Sequence, residues 1–136
     1  MAHPEFVAYA ALILRLSLAA LFFAHAWLKI AVFTPAGSVK YFQALGLPGY
    51  FAYVTITGEL AIGAGLFLGV LTRLAALAGI PLVAGTIVMV HGSKGWLFAN
   101  EGGGWEFPAF WTVALAVLAL LGGGAWALGP ALGIDW

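Results

Sequence analysis

The chain contains no cysteine and very little charge, and these two absences exclude several kinds of protein. Without cysteine it can form no disulfide, thiolate-held iron–sulfur cluster or thiol relay of its own. Five Lys or Arg and five Asp or Glu among 136 residues balance to a formal net charge of zero. Because nucleic-acid binding depends on a positively charged surface, we expect no nucleic-acid partner.

Hydrophobic residues occupy most of the sequence. They make up 64% of the chain, whereas soluble domains contain roughly 45–50% apolar residues. The mean hydropathy is +1.08. A chain this apolar cannot cover a globule with polar surface, so the lipid bilayer is the expected partner of its outer surface.

Four apolar segments, separated by turns that contain proline or glycine, predict four transmembrane helices. The predicted spans cover residues 6–32, 50–71, 74–91 and 107–121. The predicted fold class is all-α: an antiparallel four-helix transmembrane bundle with both termini on one side, forming one domain over residues 1–136. A short additional helix is predicted near residues 41–45. The expected location is a bacterial-type inner (plasma) membrane, which the chain crosses several times.

Two ionisable residues, Arg15 and Glu59, lie deep within the first and second predicted spans. An ionised side chain at mid-bilayer costs about 2.5–3.5 kcal/mol even on lenient scales. The rise per residue places both near the midplane, so we predict that they face the interior and pair, directly or through water. Two interpretations remain open: a strut that fixes helix register, or a site of proton or quinol chemistry.

A second group of polar residues is predicted at one membrane face. His25 and His91 end spans that run in the same direction, Lys29 follows His25 by one helical turn, and Trp105 and Glu106 come from the last loop. These residues are candidates for binding a quinone head group, since histidine exchanges protons near neutral pH and aromatic rings line apolar pockets. The alternative is ordinary interfacial chemistry, in which lysines snorkel and histidines cap helix ends.

Other cofactors fit the sequence less well. Two histidines on neighbouring helices can ligate haem, but the doubled histidine pairs of multi-haem cytochromes are missing, which disfavours haem. No His or Glu cluster has the spacing of metal ligands, so no metal site is expected. Quinone is therefore the one cofactor suggested, and no residue is identified as catalytic.

Several short motifs, taken in order, resemble those of the DoxX-like family of small four-helix integral membrane proteins. The motifs are an Arg within the first span, a His followed by a Lys at its end, a Leu-Gly-Leu-Pro loop, a Glu before a Gly-rich helix, a Leu-Gly-Val-Leu-Thr-Arg turn, and a closing Gly-Gly-Gly-Ala-Trp-Ala-Leu segment over residues 122–128. The residues that carry them are Arg15, His25, Lys29, 45–48, Glu59, Gly69 and Arg73. The sequence departs from the family pattern at Ala26, Gly123 and Ala127.

The resemblance implies a function only in outline. Relatives of this kind include subunits of thiosulfate:quinone oxidoreductases and proteins that associate with redox partners, so it implies an accessory membrane subunit of a quinone-linked or other membrane complex. An alternative is a structural or assembly subunit with no chemistry of its own, and a small-molecule carrier is a third. The expected protein partners are other subunits of a complex or further copies of this chain.

Overall fold

The computed structural model describes residues 3–134, and the regular structure in that range is helical. Its six α-helices are α1 (Pro4–Trp27), α2 (Thr34–Ala44), α3 (Phe51–Leu68), α4 (Thr72–Thr86), α5 (Glu106–Leu121) and α6 (Leu128–Leu132). Short π-helical segments, Leu28–Val32 and Ile87–His91, extend α1 and α4, and a 3₁₀ turn, Gly92–Lys94, follows the second. The predicted domain of residues 1–136 includes residues 1, 2, 135 and 136, which lie outside the described residues.

The all-helical class is confirmed for residues 3–134, but the structure has six α-helices in that range where the sequence predicts four spans and one short helix. The first additional helix, α2, begins at Thr34, earlier than the predicted short helix. Pro35 is tolerated there because a first-turn residue needs no backbone N–H for the helix. The second, α6, has five residues, too few for a recognisable hydrophobic period.

Three helical stretches are long and apolar enough to cross a membrane: Pro4–Val32, Phe51–Leu68 and Thr72–Lys94. They contain 29, 18 and 23 residues, respectively. Helix α5 is also apolar but has 16 residues. The composition of these helices is that of an integral membrane protein.

The long helices pack around an apolar core. Helix α1 packs against α3 and α5, and α4 packs against the same two helices. At the centre, Phe22, Leu66, Leu115 and Leu118 are completely buried. Because lipid supplies no hydrophobic drive between helices, this packing depends on close approach and good fit between side chains.

Candidate functional site

A buried ion pair joins α3 to the π-helical end of α1. Glu59, in the middle of α3, is 5% exposed. Its Oε1 atom accepts a hydrogen bond from Nζ of Lys29 at 2.7 Å. Its other oxygen, Oε2, is buried and has no hydrogen-bond partner among the described residues. A carboxylate can accept several hydrogen bonds, so this pair retains unused acceptor capacity.

The structure does not bring Arg15 and Glu59 together, and the predicted partner of Glu59 is corrected to Lys29. Arg15 is 1% exposed, and its Nη1 donates to the carbonyls of Leu66 and Phe67 at 2.7 and 2.6 Å. Its Nε and Nη2 donate to two carbonyls in the segment after α5, at 3.0 and 3.3 Å. The guanidinium is therefore bound by backbone oxygens.

The direction of helical side chains explains this difference. A Cα–Cβ bond tilts toward the N-terminus of its helix, so Arg15 extends toward the end of α1 that lies beside the last turn of α3. The last carbonyls of a helix lack partners within it and carry a partial negative charge. Lys29 approaches Glu59 from the other end of α1. The depth of each residue, counted from Cα positions alone, does not show that Glu59 pairs with Lys29 and not with Arg15.

The remaining family-motif residues stabilise the same end of the molecule as Arg15. Arg73 donates from Nη1 to two carbonyls in the last turn of α5, at 2.6 and 2.9 Å. Gly69 ends α3 with a φ of +68°, and a Cβ atom there would lie 2.7 Å from Cα of Ala127 and 3.0 Å from Cζ of Arg15. A side chain at this position would meet both the left-handed backbone and its neighbours.

His25 and Trp111 extend the ion pair toward α5. His25 lies one turn before Lys29, on the same side of the helix, and its carbonyl oxygen is 3.4 Å from Nζ of Lys29. Its ring centroid is 4.9 Å from that of Trp111. Trp111 is 5% exposed, and its Nε1 is buried without a hydrogen-bond partner among the described residues. We refer to His25, Lys29, Glu59 and Trp111 as the interior polar cluster.

Sequence reasoning did not place Trp111 at this site. The sequence does contain a signal for its burial, since Trp111, Leu115 and Leu118 recur at the spacing of one helical face. All three are buried in the structure. A tryptophan on a buried face brings an N–H that needs a partner, which marks a polar position in an apolar core.

The other three residues predicted to bind quinone, His91, Trp105 and Glu106, make contacts within the loop between α4 and α5. Nδ1 of His91 lies 2.7 Å from the carbonyl oxygen of Gly103, and it must be the donor because a carbonyl only accepts. Oε1 of Glu106 accepts from the backbone N–H of Phe98 at 3.0 Å. Trp105 packs edge-on against another loop tryptophan, with ring centroids 4.6 Å apart. These three residues therefore contact the loop, not the ion pair.

A chain of aromatic rings connects the two groups. Trp111 is 5.7 Å from Phe107, Phe107 is 5.3 Å from Phe98, and Phe98 is 5.9 Å from His91, all between ring centroids. The structure thus joins Lys29 to Glu59 and to the backbone carbonyl of His25, and a series of ring contacts runs from Trp111 to His91.

Two open cavities lie at the surface, and neither is lined by the ion pair. The larger, of about 490 Å³, is mostly apolar and is lined by Trp96, Glu106, Phe107, Ala109, Phe110 and Val113. The smaller, of about 370 Å³, is lined by Phe33, Gly37, Lys40 and Tyr41. Within residues 3–134, no group of three or more His, Asp or Glu side chains is arranged to hold a metal ion.

Comparison with known proteins shows a family match. The family model described as DoxX matches residues 10–92, which is more than half of the chain. The matched range contains Arg15, His25, Lys29, Glu59 and Arg73, and it ends before α5. No curated protein and no solved structure matches the chain.

Proposed function

The chain belongs to the DoxX family, and we propose that it is an accessory membrane subunit of a quinone-linked redox complex, with quinone bound at the interior polar cluster. The observation that carries this proposal is the second oxygen of Glu59, which is buried without a partner beside the ion pair with Lys29. Leaving a buried polar group unsatisfied costs about 1–3 kcal/mol. A ligand that supplies a donor there recovers part of that free energy.

The residues of the cluster fit a quinone. Such a ligand needs donors for its carbonyl oxygens, an acceptor for the hydroxyls of its reduced form, and apolar walls. Nε1 of Trp111 and Nζ of Lys29 are donors, Oε2 of Glu59 is an acceptor, and the ring of Trp111 packs against that of Phe22 with centroids 4.9 Å apart. A bound quinone supplies the electron transfer that a chain without cysteine cannot provide through thiols.

Each residue of the cluster then has a distinct role. Glu59 accepts a hydrogen bond or a proton at Oε2, while Lys29 balances its charge and fixes its orientation at Oε1. His25 lies one turn from Lys29, and its imidazole can donate or accept a hydrogen bond at the ligand. Trp111 orients the ligand through Nε1 and closes the apolar wall.

The proposal also specifies how the chain crosses the membrane. Helices α1, α3, α4 and α5 form an antiparallel bundle with both termini on one side of a bacterial-type plasma membrane. Two contacts at the α1 N-terminal end support this: the N–H of Ala125 donates to the carbonyl of Ala8 at 3.0 Å, and that of Gly129 donates to Gly69 at 2.9 Å. Lipid covers most of the outer surface, and other subunits of the complex cover the rest.

A structural subunit with no chemistry of its own is the second candidate. The specific observation that favours it is that Arg15 and Arg73 are both occupied by carbonyls at helix ends. In that case the pair of Lys29 and Glu59 is a further strut. The two candidates differ in whether the cluster binds a ligand.

Titration of the purified protein with decylubiquinone, followed by quenching of tryptophan fluorescence, tests the proposal. We expect Glu59→Gln to weaken binding by about tenfold or more, because the amide has lost the charge and one acceptor site. The double variant Lys29→Met, Glu59→Gln removes both charges, so it leaves no unpaired charge in the core and should fold. It should also lose binding.

Glu101→Gln is the matched control, since it makes the same chemical change in the exposed loop. It should bind decylubiquinone like the unmodified protein. Equal affinities for Glu59→Gln and Glu101→Gln, or no binding by the unmodified protein, would contradict the quinone proposal and leave the structural subunit.

A further inference from the structure

Helix α2 packs on the two elements that carry the ion pair and makes one polar contact with the backbone of Lys29. Ser38 is the one residue of α2 that is buried, at 1% exposure. Its Oγ donates to the backbone carbonyl of Lys29 at 3.0 Å. Helix α2 packs on the segment Leu28–Val32 and on α3, which are the two elements that carry Lys29 and Glu59.

The carbonyl that Ser38 binds is one that needs an external partner. Lys29 lies in the last turns before the chain reverses at Phe33 and Thr34, and the last four carbonyls of a helix have no partner within it. The segment is also π-helical, so its backbone departs from regular α-helical geometry. Its exact position is therefore set by contacts from outside the segment.

The turn into α2 is strained, which shows that the placement of α2 is imposed by the rest of the fold. Thr34 has a φ of +64°, an unfavourable conformation for a β-branched residue. Its Oγ1 accepts a hydrogen bond from the N–H of Gly37 at 3.2 Å and so satisfies a donor in the first turn. Strain of this kind persists only where surrounding contacts determine the conformation.

The position of the Lys29 backbone decides what its ammonium group can reach. The side chain bridges from the π-helical segment to Oε1 of Glu59, and 16% of it is exposed. A shift of the backbone would change which oxygen of Glu59 the ammonium contacts, or would release it toward the surface. The hydrogen bond from Ser38 acts on this backbone position directly.

We propose that Ser38 is a positioning residue for Lys29. Through its hydrogen bond to the Lys29 carbonyl, α2 holds the π-helical segment so that Nζ meets Oε1 of Glu59 and leaves Oε2 available to a ligand. The ligand part of this statement rests on the proposed quinone function, whereas the positioning of Lys29 does not depend on it.

Side-chain NMR of lysine tests the positioning without a ligand. The chain has three lysines, at positions 29, 40 and 94, so the Nζ and Cε signals of isotopically labelled lysine can be assigned by substitution. Lys40 and Lys94 are exposed and provide the reference. We expect Ser38→Ala to move the Lys29 signals toward those of the other two lysines and to weaken decylubiquinone binding about tenfold.

Ser17→Ala is the matched control. The Ser17 hydroxyl also donates to a carbonyl, that of Ile13 at 2.8 Å, but it is exposed and lies within α1. Ser17→Ala should change neither the Lys29 signals nor the binding of decylubiquinone. If Ser38→Ala does not fold, Ser38→Cys takes its place with the same expectation, because a thiol of similar size is a weak donor.

The two readouts separate the possible outcomes. Lys29 signals that stay in place when the Ser38 hydroxyl is removed would overturn the positioning role, whatever happens to binding. Lys29 signals that move in a protein that binds no decylubiquinone would support the positioning role and contradict the quinone function. Movement of the signals together with weaker binding is the result that we expect.

Discussion

Arg15 is a buried charged residue that, within residues 3–134, is bound by backbone carbonyls and has no carboxylate partner. Its guanidinium makes four hydrogen bonds, all to backbone carbonyls, and the residue is 1% exposed. Two of those carbonyls lie in the last turn of α3, at the negative end of the helix dipole. The planar, five-donor geometry of arginine suits such a site, since lysine offers a single point charge on a flexible stem.

We therefore expect Arg15→Lys to lower the free energy of unfolding by about 2–4 kcal/mol, because several buried carbonyls lose their donors. The measurement is reversible denaturant unfolding, or thermal unfolding, of all variants in the same detergent. Arg73→Lys is the control, since Arg73 is exposed and contacts two carbonyls in α5. Arg73→Lys should lower the free energy of unfolding by clearly less than Arg15→Lys. Equal losses for the two variants would contradict a special role for Arg15.

The partner of Glu59 shows which residue-level features a sequence can indicate. Charge within apolar spans identified Arg15 and Glu59, and helical spacing placed His25 and Lys29 on one side of α1. The pairing of Lys29 with Glu59 depends on side-chain direction and on the register between α1 and α3. Neither follows from depth alone, so the structure was needed to assign the pair.

At the scale of helices, the approach of α4 to α1 and α5 depends on Gly79. A Cβ atom at this position would lie 2.8 Å from Cζ of Phe22 and 3.1 Å from Cδ1 of Leu115. Both neighbours are fully buried and have little room to move. The absence of a side chain at Gly79 therefore sets how closely these helices pack.

Gly79→Ala should destabilise the protein by about 1–3 kcal/mol, as expected for overpacking a core. Gly85 lies on the same helix, and a Cβ atom there would have no neighbour within 4 Å. Gly85→Ala should therefore raise stability by up to about 1 kcal/mol through helix propensity. Thermal unfolding of the two variants measures the difference. A stabilising Gly79→Ala would contradict the close approach.

Hydropathy and turn residues predicted the helical nature of the chain, but not all of its elements. The π-helical segments Leu28–Val32 and Ile87–His91 contain ordinary apolar residues that are equally compatible with an α-helix. Helix α6 has five residues and is held by its contact with the α3–α4 turn, which no local pattern encodes.

At the scale of the whole molecule, polar groups occupy two separate levels of an apolar interior. Arg15 and Arg73 bind the carbonyl ends of α3 and α5, at one end. The interior polar cluster lies toward the other end, where α1 and α4 finish and where α2 covers Lys29. The core residues Phe22, Leu66, Leu115 and Leu118 are fully buried among the long helices. The arginine end stabilises the fold. The cluster contains two of the three buried polar side-chain atoms that have no hydrogen-bond partner among the described residues, and the third, Oγ1 of Thr72, lies at the arginine end.

Photolabelling with an azidoquinone, followed by peptide mass spectrometry, tests the proposal that quinone binds at the interior polar cluster. We predict labelling within residues 22–29 or 56–62, or at Trp111, and loss of that labelling in Glu59→Gln but not in Glu101→Gln. Labelling confined to the surface cavity at Trp96 and Phe110, or labelling of the cluster that Glu59→Gln leaves unchanged, would contradict it.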